Sequence, residues 1–346
     1  NPTIIDGQGT ERTTGEVYIT TDSTLDGLTI TGGENESGYG GGIEVNNASP
    51  TITSCTITGN NSDGVSYMRG GGGIGIRGSS AAPYIANCLI EGNTVDQENS
   101  TVGGGGAIVL SGASPTFERC TIVNNGTTTF TGLGSAVLCY GSATPTFVNC
   151  VMAQNIRAYG AVACRSGCDV TITNCTIDDN HGSGFYTRSG GGNVIRATNT
   201  IISNHSEYGY YNYDQTNELR VKNCLWHNNG NWPEEGRVRS GTLTVTDLGG
   251  NIAAKAPFYG ATNQRTWPVY TDPSTYDYSL NANSAAIDKG ASGDGIPGDD
   301  IDGNARAVDG NTLITGAIHD IGAYEFQSSA SWDESQMATM YVKVGG

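Results

Sequence analysis

The sequence predicts an all-β solenoid, in which short parallel strands wind into coils, followed by an irregular C-terminal segment. Three observations support this prediction: a motif that returns every 24 to 33 residues, apolar residues spaced as in strands, and a composition rich in turn formers. The chain of 346 residues contains 52 glycines, and only 15% of its residues are charged. Such a composition is typical of short strands joined by tight turns. A period in this range indicates stacked supersecondary units.

The repeated motif places an asparagine five residues after a cysteine, as in "SPTITSCTITGN". The apolar residues Ile52, Cys55 and Ile57 follow no helical period. We predict that the cysteines stack inside the solenoid as small apolar residues, and that the asparagines hydrogen-bond to neighbouring coils at a turn. The cysteine position is occupied by Leu28, Cys55, Cys88, Cys120, Cys150, Cys175, Asn199 and Cys224, and the asparagine position by Asn60, Asn93, Asn125, Asn155, Asn180, Asn204 and Asn229.

A second short strand precedes the motif in each repeat, in "GGGIEV", "GGGIGI", "GGAIVL", "GSAVLC" and "YGAVAC". Two or three short strands per repeat, with turns between them, predict one coil of a single-stranded parallel β-helix. The coils are expected over residues 1–250. Residues 251–327 lose the repeat and are predicted to form an irregular capping segment, over the last coil or along one side. Residues 328–346 are expected to be a linker or tail.

The pattern "SPTI..C.I..N" with a preceding "GGGI" resembles the right-handed parallel β-helix repeats of the pectin-lyase-like superfamily. The later stretches "DPSTYDYSLNANSAAIDKG", "DDIDGNARAVDG" and "DIGAYEF" resemble the C-terminal segment of large secreted bacterial β-helix surface proteins. These resemblances imply a right-handed helix and a location outside the cell, either secreted or on the cell surface. They do not identify a reaction, because this scaffold supports enzymes and binding proteins alike.

The charge balance excludes two classes of partner. Lys and Arg number 17 against 34 Asp and Glu, so the formal net charge is −17. A chain this acidic is not expected to bind nucleic acid or anionic membrane surfaces. No apolar run is long enough to span a bilayer. The expected partner is therefore a polysaccharide or a cell-surface glycan, and the oligomeric state is left open.

Three further positions need an explanation. Cys139 and Cys164 occupy equivalent second-strand positions in adjacent coils and are expected to stack as thiols, with a disulfide as the alternative. Cys168 lies in the turn of the same coil as Cys164 and is the better disulfide candidate. Arg196 falls by spacing at an inward position, where an unpaired arginine is costly. We expect a bulge at the glycines of residues 190–192 to turn it outward.

Function is expected where the repeats differ from one another. The early repeats carry insertions between the Asn and the Gly run, namely "NSDGVSYMRGGGG", "TVDQENSTVGGGG" and "GTTTFTGLGS". These insertions are predicted to project from one edge as a wall of loops. From about residue 155 the coils shorten, and aromatic and ionisable residues gather in "DDNHGSGFYTRSG", "NHSEYGYYNYDQ" and "ELRVKNCLWHNNGNWPEEGRVR".

Counting from the repeats predicts a groove on these short coils. His181 and His205 each follow a ladder asparagine and are expected to be vertical neighbours, while Asp178, Ile202 and His227 should share one outward position. Rings and cations on an elongated groove suit sugar stacking and carboxylate pairing. The catalytic candidates are Asp178, His181, His205, Arg188, Lys222 and Tyr210, and the substrate-binding candidates are Tyr186, Tyr211, Tyr213, Arg220, His227 and Trp232.

Two classes of function remain open at this point. A lyase acting on uronic acids needs cations for the carboxylate and a base for the C5 proton, and the candidates supply both types. A glycoside hydrolase needs two suitably separated carboxylates, for which Asp178 and Asp214 are available. The competing hypothesis is a non-catalytic surface protein, such as an adhesin, a glycan-binding stalk or an assembly component.

The C-terminal stretch "GDGIPGDDIDGNAR" raises the question of a metal ion. Oxygen ligands at alternating positions in a glycine-rich loop can bind Ca²⁺, and the candidate ligands are Asp299, Asp302 and Asn304. The alternative is structural, because Asp-Gly pairs are common turn formers. In that case an aspartate of the loop is expected to pair with Arg306.

Overall fold

The structure is a computed structural model of the chain. It describes residues 3–12, 15–36, 39–63, 70–96, 103–128, 132–188, 190–214, 216–230, 236–238, 245–253, 268–293, 295–306 and 319–327. Within these residues, no helix has the length and apolar character needed to cross a bilayer.

The prediction of a parallel β-helix is confirmed, because three parallel sheets run along the coils. Sheet I consists of Val17–Ile19, Ile43–Asn46, Ile74–Arg77, Gly103–Gly105, Ile108–Ser111, Gly132–Tyr140, Ala158–Arg165, Ser183–Arg188, Tyr210–Asn212 and Gly236–Val238. Sheet II consists of Thr24–Asp26, Thr51–Thr53, Tyr84–Ala86, Thr116–Glu118, Thr146–Val148, Asp169–Thr173, Val194–Thr198, Glu218–Lys222 and Val245–Asp247. Sheet III consists of Thr3–Arg12, Leu28–Asn35, Thr56–Thr58, Asn61–Asp63, Leu89–Glu91, Thr94–Asp96, Thr121–Val123, Gly126–Thr127, Val151–Ala153, Thr176–Asp178, Ile201–Ser203, Leu225–His227 and Ile252–Ala253.

Side chains that point into the helix form columns of apolar residues, one from each coil. In sheet II, Ile85, Phe117 and Phe147 are partners in consecutive coils, and the two phenylalanine rings stack with centroids 5.0 Å apart. All three side chains are fully buried. Because alternate residues of a strand point to opposite faces, the same strands present a second set of side chains to the outside. The core is therefore the long interior of the helix.

The cysteine and asparagine positions form the predicted internal ladders. The backbone N–H of Cys55 donates to Sγ of Cys88 at 3.4 Å, and all nine cysteines are buried free thiols. Cys168 is thus not bonded to Cys164, while Cys139 and Cys164 are partners on adjacent strands. From Asn60 to Asn180, the side-chain amide of one ladder asparagine donates to the side-chain oxygen of the next, for example Asn93 Nδ2 to Asn125 Oδ1 at 3.0 Å.

Two assignments in these ladders are wrong by one residue. Thr176 pairs with Ile201, so Thr200 and not Asn199 follows Cys175 in the cysteine position. The next ladder residue after Asn180 is His205 and not Asn204, because the N–H of Asn180 donates to His205 Nδ1 at 3.3 Å. A shift of one residue moves a side chain to the opposite face of a strand.

The same shift explains Arg196 without a bulge. Val194–Thr198 pairs continuously with Asp169–Thr173, so that Arg196 lies opposite Thr171 and points outward as expected. Its guanidinium makes two hydrogen bonds with Asp169, of 2.8 and 2.7 Å. The outward direction was predicted correctly, but the bulge was not needed.

The insertions of the early coils begin with an additional strand. Asn61–Asp63 and Thr94–Asp96 pair with each other beyond the asparagine ladder. The following glycine run crosses these strands so closely that a Cβ on Gly72 would lie 2.2 Å from the carbonyl oxygen of Thr94, which explains the glycines in the repeat. The remainder of the predicted wall, residues 64–69, 97–102 and 129–131, lies outside the described residues.

The C-terminal segment lies along one side of the helix, against the outer face of sheet III. We call residues 268–293, 295–306 and 319–327 the C-terminal strap. It contains the antiparallel strands Tyr270–Asp272 and Asp277–Leu280, with the short 3₁₀ helix Pro273–Thr275 between them. The predicted tail, residues 328–346, lies outside the described residues.

Apolar side chains attach the strap to sheet III in two clusters. Tyr278 and Ala323 pack on Val123, Val151 and Ala153. In the second cluster, Leu280, Ala286 and Ile321 pack on Ile201 and Leu225. These sheet residues point away from the helix interior, and the strap buries them completely. The outer face of sheet III is thus a second core.

A buried arginine joins the strap to the helix. Arg306 donates to Asn149 Oδ1 at 3.0 Å, to the carbonyl oxygens of Gly322 and Ala323, and to Glu325 at 3.3 Å. The side chains of Arg306 and Glu325 are both 0% exposed. The predicted pairing of Arg306 with an aspartate of its own loop is replaced by this contact with Glu325.

Candidate functional site

The outer face of sheet I carries two neighbouring columns of polar and aromatic side chains. In one column, Tyr140, Arg165 and Arg188 are partners on three consecutive strands. In the other, Tyr186 and Tyr211 are partners on consecutive strands. Because these residues alternate with inward ones along each strand, the helix period itself places them on the same outer face.

Five tyrosines near the C-terminal end of this face form what we call the tyrosine platform: Tyr159, Tyr186, Tyr208, Tyr211 and Tyr213. Tyr159 stacks on Tyr186 with ring centroids 5.3 Å apart, and Tyr211 meets the edge of Tyr186 at 5.5 Å. The ring centroids of Tyr208 and Tyr211 are 5.8 Å apart. Tyr186 is buried beneath its neighbours, whereas Tyr159 is exposed and Tyr211 half-buried. The platform therefore has a packed base and an accessible upper layer.

Arg165 and Arg188, which we call the arginine pair, border this platform. The Arg188 guanidinium carbon lies 5.2 Å from the centroid of the Tyr213 ring, a cation–π distance. Both arginines are half-buried. Among the described residues, neither is within ion-pair distance of a carboxylate.

The other end of the same face holds a buried carboxylate. Glu44 forms an ion pair of 2.8 Å with Arg77, and burial of Glu44 raises the pKa of its carboxyl. The Arg77 guanidinium carbon is 5.3 Å from the ring centroid of Tyr39, whose hydroxyl is 2.6 Å from that of Tyr140. Tyrosines and arginines thus occur along much of sheet I.

The six catalytic candidates do not converge on one groove. Arg188 lies on the outer face of sheet I, whereas Lys222 lies on the outer face of sheet II. Asp178 lies on the outer face of sheet III, and His181 in the corner between sheets III and I. His205 and Tyr210 point into the helix. A single catalytic centre made of these six side chains is therefore not formed.

His205 and Tyr210 are parts of the interior. His205 is 1% exposed and occupies the asparagine ladder, and burial lowers the pKa of its imidazole to about 3, so it is neutral at pH 7. Tyr210 is 0% exposed, its hydroxyl is 3.0 Å from Thr187 Oγ1, and burial raises its pKa. Tyr210 pairs with Phe185, as Tyr211 does with Tyr186, but the two tyrosines point to opposite faces.

Asp178 lies under the strap. Its Oδ1 accepts hydrogen bonds from Ser203 Oγ at 2.5 Å and from Asn204 Nδ2 at 2.8 Å. The Tyr270 hydroxyl of the strap reaches Ser203 at 3.2 Å. Asp178 is 2% exposed, and burial raises the pKa of its carboxyl to about 6. It cannot contact a polymer while the strap is in place.

The remaining candidates occupy several positions. His227 is the partner of Ser203, which in turn is the partner of Asp178; Ile202, expected in this outward column, points inward instead. Arg220 lies on the outer face of sheet II, paired with Glu218 at 2.8 Å. Trp232 lies outside the described residues.

The predicted calcium ligands are engaged in other contacts. Asp299 forms an ion pair of 3.0 Å with Arg119. The side-chain amide of Asn304 and the backbone N–H of Asp302 both donate to Asp300, which organises the loop. The described residues contain no group of three or more His, Cys, Asp or Glu placed to hold a metal ion. Calcium binding by Asp299, Asp302 and Asn304 stays a prediction.

Sequence reasoning overlooked Tyr159, Arg165 and Tyr208. A usable signal existed for Arg165, because Cys164 and Thr187 are equivalent positions and the residue after each is an arginine. Tyr159 and Tyr208 lie near strand ends, where the repeat gives no register. Their approach to Tyr186 and Tyr211 depends on the path of the turns.

Comparisons with known proteins agree with this architecture. A family model described as right handed beta helix region matches residues 13–225. Among solved structures, the crystal structure of pectate lyase Pel9A is similar, with a TM-score of 0.52 and 15% identity over 90% of this chain and 72% of that chain. A sequence identity this low shows only that the two folds are similar. No curated protein matches the chain. Because the family model spans more than half of the sequence, the chain belongs to the right-handed β-helix family.

Proposed function

We propose that the protein is a secreted or cell-surface protein that binds an extended polysaccharide along the outer face of sheet I. The observation that carries the proposal is the tyrosine platform, in which an accessible layer of rings rests on the packed base of Tyr186. Aromatic rings with a polar hydroxyl offer apolar contact to a sugar ring and a hydrogen bond at its rim. Strands about 4.8 Å apart repeat this surface along the helix axis, as an extended polymer requires.

Binding without cleavage is the form of the proposal that the geometry supports best. An acid or base must lie within hydrogen-bond reach of the reacting group. The three candidates with clearly perturbed pKa values, Asp178, His205 and Tyr210, are covered by the strap or enclosed in the helix. The similar solved structure is, by its name, a pectate lyase, which agrees with a polysaccharide ligand.

A binding assay with matched variants tests this proposal. Tyr213→Ala should weaken the affinity for the bound glycan about tenfold, because a stacking ring at the centre of a contact carries much of its energy. Tyr84→Ala, which removes an exposed ring from sheet II, is the control and should leave affinity unchanged. Glycan microarray binding followed by calorimetry gives the readout. Equal affinity of both variants and the parent would contradict the proposed surface, and release of shortened or unsaturated products would replace binding by catalysis.

A further inference from the structure

The arginine pair is unusual in the electrostatics of this chain. Arg165 and Arg188 are directly opposite each other on adjacent strands, about 4.8 Å apart along the helix axis. Like charges directly opposite each other destabilise a sheet. The chain has 34 acidic residues against 17 basic ones, so carboxylate partners are abundant. The placement of two arginines directly opposite each other therefore needs an explanation.

Other arginines of the described chain show the usual arrangement. Arg157 is exposed and donates to a backbone carbonyl. Five further arginines each have a carboxylate partner: Arg77 with Glu44, Arg119 with Glu118 and Asp299, Arg196 with Asp169, Arg220 with Glu218, and Arg306 with Glu325.

Arg165 also has an unsatisfied donor. Its Nη1 atom is buried and has no hydrogen-bond partner among the residues that the structure describes. A buried donor without an acceptor costs free energy, and each such group in a folded protein needs an explanation. An oxyanion that lies between the two guanidinium groups would supply an acceptor and would also screen the repulsion between them.

Tyrosines flank the arginine pair at both ends of the column. Tyr140 precedes Arg165 in the column, and Tyr213 stacks on Arg188 beyond it. This column spans three strand spacings, or about 14 Å along the helix axis, in the order Tyr140, Arg165, Arg188 and Tyr213. A guanidinium fixed on a ring presents its planar fork to one side, the arrangement that suits a carboxylate or a sulfate.

We propose that the arginine pair is a binding site for the oxyanion groups of an acidic polysaccharide. The proposal rests on the proposed function and deepens it, because it defines the chemical class of the glycan. Carboxylates of uronic acids and sulfate esters share the chemistry that the pair recognises. The tyrosine platform contacts the sugar rings, and the arginine pair contacts the charged substituents.

The test compares three glycans with two charge-removing variants. Polygalacturonate supplies carboxylates, dextran sulfate supplies sulfate esters, and dextran is neutral. Arg165→Gln and Arg188→Gln should each lower the affinity for the acidic glycan about tenfold, as expected for the loss of a hydrogen bond to a charged group. Neither should change binding of dextran. Added salt should weaken the binding of the acidic glycans but not the binding of dextran.

Two controls separate this effect from net charge and folding. Arg196→Gln removes the same charge from sheet II, where Asp169 already neutralises the arginine, and should not change affinity. Arg188→Lys keeps the charge but loses the planar fork of the guanidinium group. Its affinity for the acidic glycan should lie between those of the parent and Arg188→Gln. The unfolding midpoint of each variant shows whether the fold is retained.

The outcomes distinguish the two proposals. Binding of one acidic glycan alone identifies carboxylate or sulfate as the recognised group. If dextran binds as well as the acidic glycans, and both Arg→Gln variants bind like the parent, the arginine pair is not the anion site while glycan binding stands. If none of the glycans binds, both proposals fail.

Discussion

The outer faces of sheet I and sheet III are built by the same repeat but have opposite roles. Sheet III presents Val151, Ile201 and Leu225 to the outside, and the C-terminal strap buries them completely. Sheet I presents Arg188, Tyr211 and Tyr213, which remain partly accessible within the described chain. The comparison shows that a β-helix does not have one core and one surface. Its outer faces differ according to whether a later segment covers them.

The largest expected effect comes from removing the buried arginine of the strap. Arg306→Ala should lower the free energy of unfolding by about 3–5 kcal/mol, because it leaves Glu325 and Asn149 buried without their partner. Arg196→Ala, which removes a partly exposed arginine, is the control and should cost less than about 1 kcal/mol. Chemical unfolding measures both. Similar losses for the two variants would mean that the strap is not held through Arg306.

A smaller effect is expected for a tyrosine of each face. Tyr278 is 0% exposed between the strap and sheet III, and Tyr278→Ala should cost about 3 kcal/mol through the cavity that it leaves. Tyr213→Ala on sheet I should cost about 1 kcal/mol or less, since its ring is half-buried. Thermal unfolding of the two variants compares the faces directly. Equal costs would contradict the distinction between a covered and an open face.

The smallest of the three effects is a pH dependence of the covered face. Burial raises the pKa of Asp178 from its ordinary value of 3.8 to about 6, so the native state binds its proton more tightly than the unfolded state. The resulting stabilisation is complete below the unfolded pKa and is lost as pH rises through 6. Between pH 5 and 7.5 this group alone should account for about 1.4 kcal/mol.

The variant Asp178→Asn isolates this contribution. The amide remains neutral and its oxygen can still accept from Ser203 and Asn204, so the variant should lack the part of the pH dependence that Asp178 supplies. The measurement is the free energy of unfolding of both proteins at several pH values. Parallel curves would show that the strap does not bury Asp178 in solution.

Much of the fold could be predicted from the sequence because the repeat encodes it locally. The spacing from Cys88 to Asn93 places one residue in each internal ladder, and the structure confirms both ladders in the coils where cysteine and asparagine occur. Where the repeat substitutes Thr200 and His205, the residue type no longer marks the position. The asparagines nearest to the expected positions, Asn199 and Asn204, each lie one residue before the true ladder residue, so the register predicted from them is shifted by one.

The candidate site was predicted less well, since it depends on faces rather than on positions. Arg188, Tyr186, Tyr211 and Tyr213 do lie together on sheet I. Asp178 and Lys222 were grouped with them because they are near in sequence, yet a coil turns through three sheets within about 25 residues. Nearness along the chain is therefore weak evidence of a shared face in a solenoid.

The sequence by itself determined the parallel coils, the internal ladders and the alternation of inner and outer side chains, because these follow from a period of two within strands and a period of one coil between them. Only the tertiary structure decided which outer face is covered. The contacts that cover sheet III join residues far apart in the chain, such as Asn149 and Arg306, and no local pattern encodes them. The strap thereby buries Asp178 and leaves the tyrosines and arginines of sheet I as the face where a ligand can bind.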